Sequence, residues 1–204
     1  MTFRVALTFD AEHPDRPHRS GATERILDRL DAERVRGTFF LQGRWVEAYP
    51  ELARSVAERG HGIGNHSFYH ARMPLLSAKG LASDVREAER AIVTATGIDP
   101  KPWFRCPFGA GHDDPRVRAG LMKLGYREIG WDVEGFDWRP GRRASHMVRT
   151  MLAETTARGD GAILLLHPWT IAADLGLQQL IDGLRDAGAT FVPLDAVVPL
   201  GAVA

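Results

Sequence analysis

From Phe3 to Phe9 the apolar side chains alternate, with Phe3, Val5, Leu7 and Phe9 separated by Arg4, Ala6 and Thr8. A period of two predicts a strand. The period then changes. Ile26, Leu27 and Leu30 fall at helical spacing within residues 21–33. A β-branched and aromatic run at 37–41 predicts a second strand. Pro50 opens a helix that runs to Arg59 and is closed by Gly60. A brief extended piece comes next at 62–65. Leu81, Val85, Ala88 and Ile92 then form an apolar stripe along a long helix at 77–96, stopped by Gly97.

The remainder keeps the same rhythm. A strand at 103–105 leads to a helix capped by Asp114-Pro115 and ended by Gly125. A strand is predicted at 126–131, a helix at 145–158 and a strand at 162–167. That strand is almost wholly apolar, as expected of one buried on both faces. A helix at 175–187 and a strand at 190–194 close the pattern. Roughly seven strands alternating with six helices call for βαβ units, a mostly parallel sheet and right-handed crossovers. A closed barrel and an open doubly wound sheet both satisfy this. Asp10, His66, Arg105, Asp137 and His167 all fall at or just after the C-terminal end of a predicted strand. In a (β/α) barrel those ends converge on one face, where active sites lie. In an open sheet they would be spread along an edge. The expected fold is therefore an α/β barrel short of the full eight strands.

Composition narrows the class. The 204 residues suit one domain, residues 1–204. Basic and acidic residues balance at 26 each with no basic tract, which argues against nucleic acid or an anionic membrane as partner. Cys106 is the only cysteine, so no intrachain disulfide can form. The first ten residues have no secretory pattern, and no stretch approaches a membrane span. A cytoplasmic location is the expectation. No oligomer interface stands out in the pattern.

Several polar residues carry candidate chemistry. His66 and His70 are four apart, and on a helical turn both would project from one face, close enough to share a metal ion. Such a pair by itself is equally two loop histidines bonded to backbone. Asp10 and Glu12 point the same way in an extended chain, with Ala11 opposite. They are either two carboxylates in one cavity or a solvated loop start. Asp10 continues an unbroken apolar alternation, so it lies near the core and needs a partner or a metal. Arg105 is either a structural ion pair or the counter-charge that holds Asp10 in place. His167 ends a buried strand and is followed by Pro168, which cannot extend a regular ladder. Cys106 reads as a small buried thiol rather than a nucleophile. His13, His18, His61, His112 and His146 stand isolated in polar stretches and are taken as structural.

Taken in order, these residues resemble the polysaccharide deacetylases of the NodB-homology type, carbohydrate esterase family 4. LTFDAE resembles the first motif, Thr-Phe-Asp-Asp. GNHSFYH resembles the H-[ST]-x-x-x-H motif. FRCPFG resembles R-x-P-[YF], WDVEGFDW the motif ending in Asp-Trp, and ILLLHP the L-x-H motif. The match runs from Phe3 to Pro168. It implies a distorted (β/α)7 barrel and a metal-dependent amide hydrolase that removes N-acetyl groups from an amino sugar or glycan. Asp10 would be the catalytic base, His66 and His70 metal ligands, Arg105 the residue that orients the base, His167 the general acid and Asp137 the carboxylate that tunes it. The position after the base is Ala11, which cannot bind metal. The chain resembles members with an Asp-x-Asp or Asp-x-Glu motif, so Glu12 is assigned as the third ligand, with Asp10 the other carboxylate in reach. Glu134 stands where the motif often has aspartate.

The resemblance further implies water activated by a divalent metal, zinc or alternatively cobalt. Asp10 takes a proton, the Phe108 backbone N–H stabilises an oxyanion, and His167 protonates the leaving amine. Phe108 and Trp138 would stack on a sugar, and Leu165 would line the acyl pocket. The substrate is an N-acetylated sugar or a small amide. Two alternatives share these residues: an allantoinase-like hydrolase of cyclic imides or ureides, and a non-catalytic sugar-binding relative.

Overall fold

The structure, a computed structural model, describes residues 2–15 and 21–198. In chain order its elements are β1 (Phe3–Ala11), α1 (Ala22–Ala32), β2 (Thr38–Leu41), α2 (Gly43–Ala48), α3 (Pro50–Glu58), β3 (Gly62–Asn65), α4 (Ala78–Thr96) and β4 (Trp103–Phe104). Then come α5 (Pro115–Lys123), β5 (Arg127–Glu128), β6 (Val133–Glu134), α6 (Ala144–Arg158), β7 (Ala162–Leu166), α7 (Ile171–Asp186), β8 (Ala189–Phe191) and α8 (Leu194–Val197). Short 3-10 turns lie at Met73–Leu75 and Pro107–Gly109.

The chain forms two compact units interleaved in sequence. Among the described residues, one unit takes 2–9, 21–38 and 131–198, and the other takes 10–15 and 39–130. In the first, β1 runs parallel to β7 with Val5 opposite Ala162 and Phe9 opposite Leu166, and β8 pairs along Phe3–Val5. β6 continues this part of the sheet on β7, with Val133 opposite Leu164. Helices α1, α6 and α7 pack together there, and Gly176 lets α7 approach α6. A Cβ at Gly176 would lie 2.6 Å from the Met147 side chain. In the second unit β3, β4 and β5 are parallel neighbours, with Asn65 opposite Phe104 and Trp103 opposite Arg127. Helix α4 buries its predicted stripe, Leu81, Val85, Ala88 and Ile92, and packs against α2 and α3. Ser77 caps it by accepting from Gly80 N, and Gly97 ends it in the left-handed region at φ 72°.

Four sequence expectations shift. The strand expected at 126–131 is only Arg127–Glu128, and β6 is a separate pair beyond it. Two residues are too short for alternation to register. Helix α2 was not anticipated, because Pro50 at the first position of α3 divides the segment between β2 and β3 into two short helices. Helix α7 begins at Ile171, not 175, because Thr170 caps it there with its hydroxyl accepting from Ala173 N at 3.2 Å. The last strand stops at Phe191, and α8 occupies part of the predicted span.

Candidate metal centre and proton-transfer pair

The expected site residues lie at or beyond the ends of strands. In the second unit, Asp10 is the penultimate residue of β1, and Glu12 comes directly after that strand. Both are buried, as are His66 just after β3 and Arg105 just after β4. Arg105 is fully buried, and all three guanidinium nitrogens have acceptors. Nη1 donates to Asp10 Oδ1 at 2.8 Å, Nε to the Ile129 carbonyl at 3.2 Å and Nη2 to the Gly130 carbonyl at 2.9 Å. Its charge also lies over the Phe40 ring, 4.1 Å from the centroid. One nitrogen of a planar guanidinium thus holds Asp10 while the other two are fixed by backbone carbonyls, a geometry that a lysine could not reproduce.

Glu12, His66 and His70 form a cluster. One ligand atom from each lies within 4.8 Å of the others, and all three residues are buried. Glu12 Oε2 is 3.2 Å from His66 Nε2 and also contacts His70 Nε2. Asp10 Oδ2 is farther from His66 Nε2, at 3.6 Å. His66 Nδ1 donates to the Arg105 carbonyl at 2.9 Å, which turns Nε2 towards Glu12. His70 Nε2 is buried and makes no hydrogen bond of acceptable geometry despite its contact with the carboxylate. Burial pulls the His66 imidazole down, but Asp10 and Glu12 outweigh it and leave the ring above the ordinary histidine value. Burial lowers His70, with His66 and His13 adding to the effect against Glu12. Two imidazole nitrogens and a carboxylate around one buried point fit a divalent cation of the zinc type.

The helical turn expected at 66–70 does not form. Ser67 and His70 adopt left-handed backbone, φ 67° and 58°. The N–H groups that a helix would engage are taken elsewhere. Asn65 Oδ1 accepts from Ser67 N, and Ser67 Oγ from His70 N. Asp84 on α4 accepts from Phe68 N and Tyr69 N, each at 3.0 Å. This loop, rather than a helix face, brings the two imidazole centroids to 5.0 Å.

In the first unit, Asp137 and His167 form a second buried arrangement. His167 Nδ1 donates to Asp137 Oδ1 at 2.9 Å, which places the hydrogen of that bond on Nδ1. Asp137 Oδ2 accepts from His167 N and from the Thr170 hydroxyl, both at 2.8 Å. The residue that caps α7 thus also positions the carboxylate. Trp138 is 41% exposed, and its indole N–H donates to Glu134 Oε1 at 2.5 Å. Leu165 is buried on β7, two residues before His167 and so on the same side of the strand.

Three comparisons fit this geometry. The sequence pattern of the family described as polysaccharide deacetylase matches residues 2–129. The peptidoglycan-N-acetylmuramic acid deacetylase PdaA of Bacillus subtilis is 30% identical over 199 residues, covering 94% of this chain and 70% of its own. The chain belongs to the polysaccharide deacetylase family. A chitooligosaccharide deacetylase of Rhizobium leguminosarum bv. trifolii is 35% identical over 196 residues, 96% of this chain and 84% of its own. Other curated relatives are longer, and the chain spans 38% to 49% of them. A solved T48 deacetylase with substrate superposes with a TM-score of 0.81 at 33% identity, over 96% of this chain and 90% of that one. The distorted (β/α)7 barrel implied by the motifs is the fold class of this polysaccharide deacetylase, and hydrolytic deacetylase is the enzyme class of these relatives. No helix among the described residues is long and apolar enough to cross a membrane.

Other residues of this polysaccharide deacetylase depart from the sequence reading or add to it. Phe108 lies in a 3-10 turn at φ 59°, 52% exposed, with its ring 4.4 Å from that of His70. Cys106 is in the core beside Met73 and Val117, and burial pushes its thiol up. His61 packs on Phe39, and His112 contacts Glu128. His18 lies outside the described residues. Asp84 was missed, although an acid on the apolar stripe of α4 was its visible signal. His13, taken as structural, contacts Glu12.

Proposed function

We propose that this chain is a divalent-metal-dependent hydrolase that removes N-acetyl groups from amino sugars of a glycan, with zinc as the metal. The observation that carries the reading is the separation of two carboxylates: Glu12 faces His66 and His70, while Asp10 is held by Arg105. Glu12, His66 and His70 would hold the metal. Once bound, it supplies Lewis-acid polarisation of the acetyl carbonyl and acidifies water.

The other steps belong to the side chains. Asp10, with Oδ1 engaged by Arg105, takes the proton of the attacking water through Oδ2. The water oxygen bonds to the acetyl carbon. The backbone N–H of Phe108 donates to the carbonyl oxygen as negative charge develops there. His167, oriented by Asp137, delivers a proton from Nε2 to the amide nitrogen as the C–N bond breaks. Acetate and a free amino sugar leave. Phe108 and Trp138 stack on sugar rings, and Leu165 lines the acetyl pocket. The names of the relatives, which act on peptidoglycan and chitooligosaccharides, support the substrate class.

The test is acetate release from N-acetylglucosamine oligomers. Protein reloaded with zinc or cobalt should release acetate, and EDTA-treated protein should not. A metal-loaded protein that binds the oligomers and releases nothing would overturn the reading.

A further inference from the structure

The carboxylate of Glu12 uses its two oxygens differently. Oε2 faces His66 and His70, while Oε1 lies 2.9 Å from His13 Nε2. His13 is not one of the clustered ligand atoms. The two atoms are within hydrogen-bonding distance, and a carboxylate oxygen can only accept, so a bond between them requires the hydrogen on Nε2 of His13.

The ring is itself fixed. It stands edge-on to His70 at a centroid distance of 4.5 Å. Its backbone is left-handed at φ 59°, uncommon for a residue other than glycine. Gln42 holds it there. Gln42 Oε1 accepts from His13 N at 2.9 Å, Gln42 N donates to the Ala11 carbonyl at 3.0 Å, and Gln42 Nε2 donates to the Phe68 carbonyl at 3.3 Å. One residue thus ties the end of β1 to the loop that carries His66 and His70.

We infer that His13 is a positioning residue for Glu12, holding one carboxylate oxygen so that the other is presented to the metal. The inference rests on the reading of Glu12 as a ligand. Ala11 occupies the position next to the base, so the ligating carboxylate comes from one residue further on and sits on a longer side chain. A glutamate has one more rotatable bond than an aspartate and loses more freedom when it is fixed. A hydrogen bond from His13 restricts that freedom before metal arrives, as outer partners of ligating groups do.

The test is zinc affinity, measured by competition with a chromophoric chelator, together with the visible spectrum of cobalt-substituted protein. His13→Asn suits a left-handed backbone but falls short of Oε1, whereas His13→Gln places an amide N–H near the position of Nε2. His13→Asn should weaken zinc binding roughly 10–100-fold and alter the cobalt bands, and His13→Gln should recover most of both. Wild-type behaviour in His13→Asn would overturn the inference, as would a His13→Gln variant no better than His13→Asn. Retention of zinc by Glu12→Ala would show that Glu12 is not a ligand and would overturn it too. Metal-dependent acetate release by the wild-type protein alongside any of these outcomes would leave the deacetylase reading standing.

Discussion

Asp10 and Glu12 are two residues apart, both buried, and differ in their neighbours. Asp10 has the Arg105 guanidinium, and Glu12 has the imidazoles of His13, His66 and His70. The proposed division of labour predicts that Asp10→Asn keeps its zinc, measured by metal analysis, while kcat for acetate release falls by roughly two decades. Loss of zinc from that variant would make Asp10 a ligand. A surface pair gives a prediction of another kind. Asp160 accepts from Arg4 N at 2.8 Å and from its guanidinium at 2.7 Å, and these bonds hold its carboxyl at about 2. A folded value below the unfolded one means that the pair stabilises the protein above the ordinary carboxylate range. That contribution is lost as the pH falls towards 2. An NMR titration should show this midpoint, and Arg4→Gln should return it towards the ordinary value.

At the scale of elements, the loop that carries His66 and His70 depends on a helix that contributes no ligand. Asp84 of α4 caps Phe68 N and Tyr69 N. Asp84→Ala leaves those N–H groups without their acceptor and should cost about 1–3 kcal/mol in urea unfolding, with weaker zinc binding in the same variant. Strands β1 and β7 were legible because they are long enough for their pattern to register, and motif residues sit at their ends. The loop conformation was not legible. Spacing of four suggests a helical turn, but Asn65, Ser67 and Asp84 capture the N–H groups locally and turn the chain left-handed. His13 was taken as structural for a similar reason. Its backbone N–H is held by Gln42, 29 residues away, and no local period reports that. Thr170 showed nothing as a cap because Ile171 and Leu175, the first large apolar residues of α7, are each 59% exposed and lie off the buried stripe.

For the whole molecule, the Glu12–His66–His70 cluster joins segments far apart in sequence, with Glu12 and His66 separated by 54 residues. The unfolded chain holds no such arrangement, so the proposed metal binding is linked to folding. Zinc at about a hundred times its dissociation constant should add about 2.7 kcal/mol of stability and raise Tm by roughly 5–10 °C over an EDTA-treated sample. The shift should vanish in Glu12→Ala, as calorimetry can read directly.

Arg105 is reached by no solvent, and its partner Asp10 is 3% exposed. Dissolved ions screen charges that they can approach, and this pair is closed to them. The hold on the proposed base should therefore persist in concentrated salt that would dissolve a surface contact such as Arg4–Asp160.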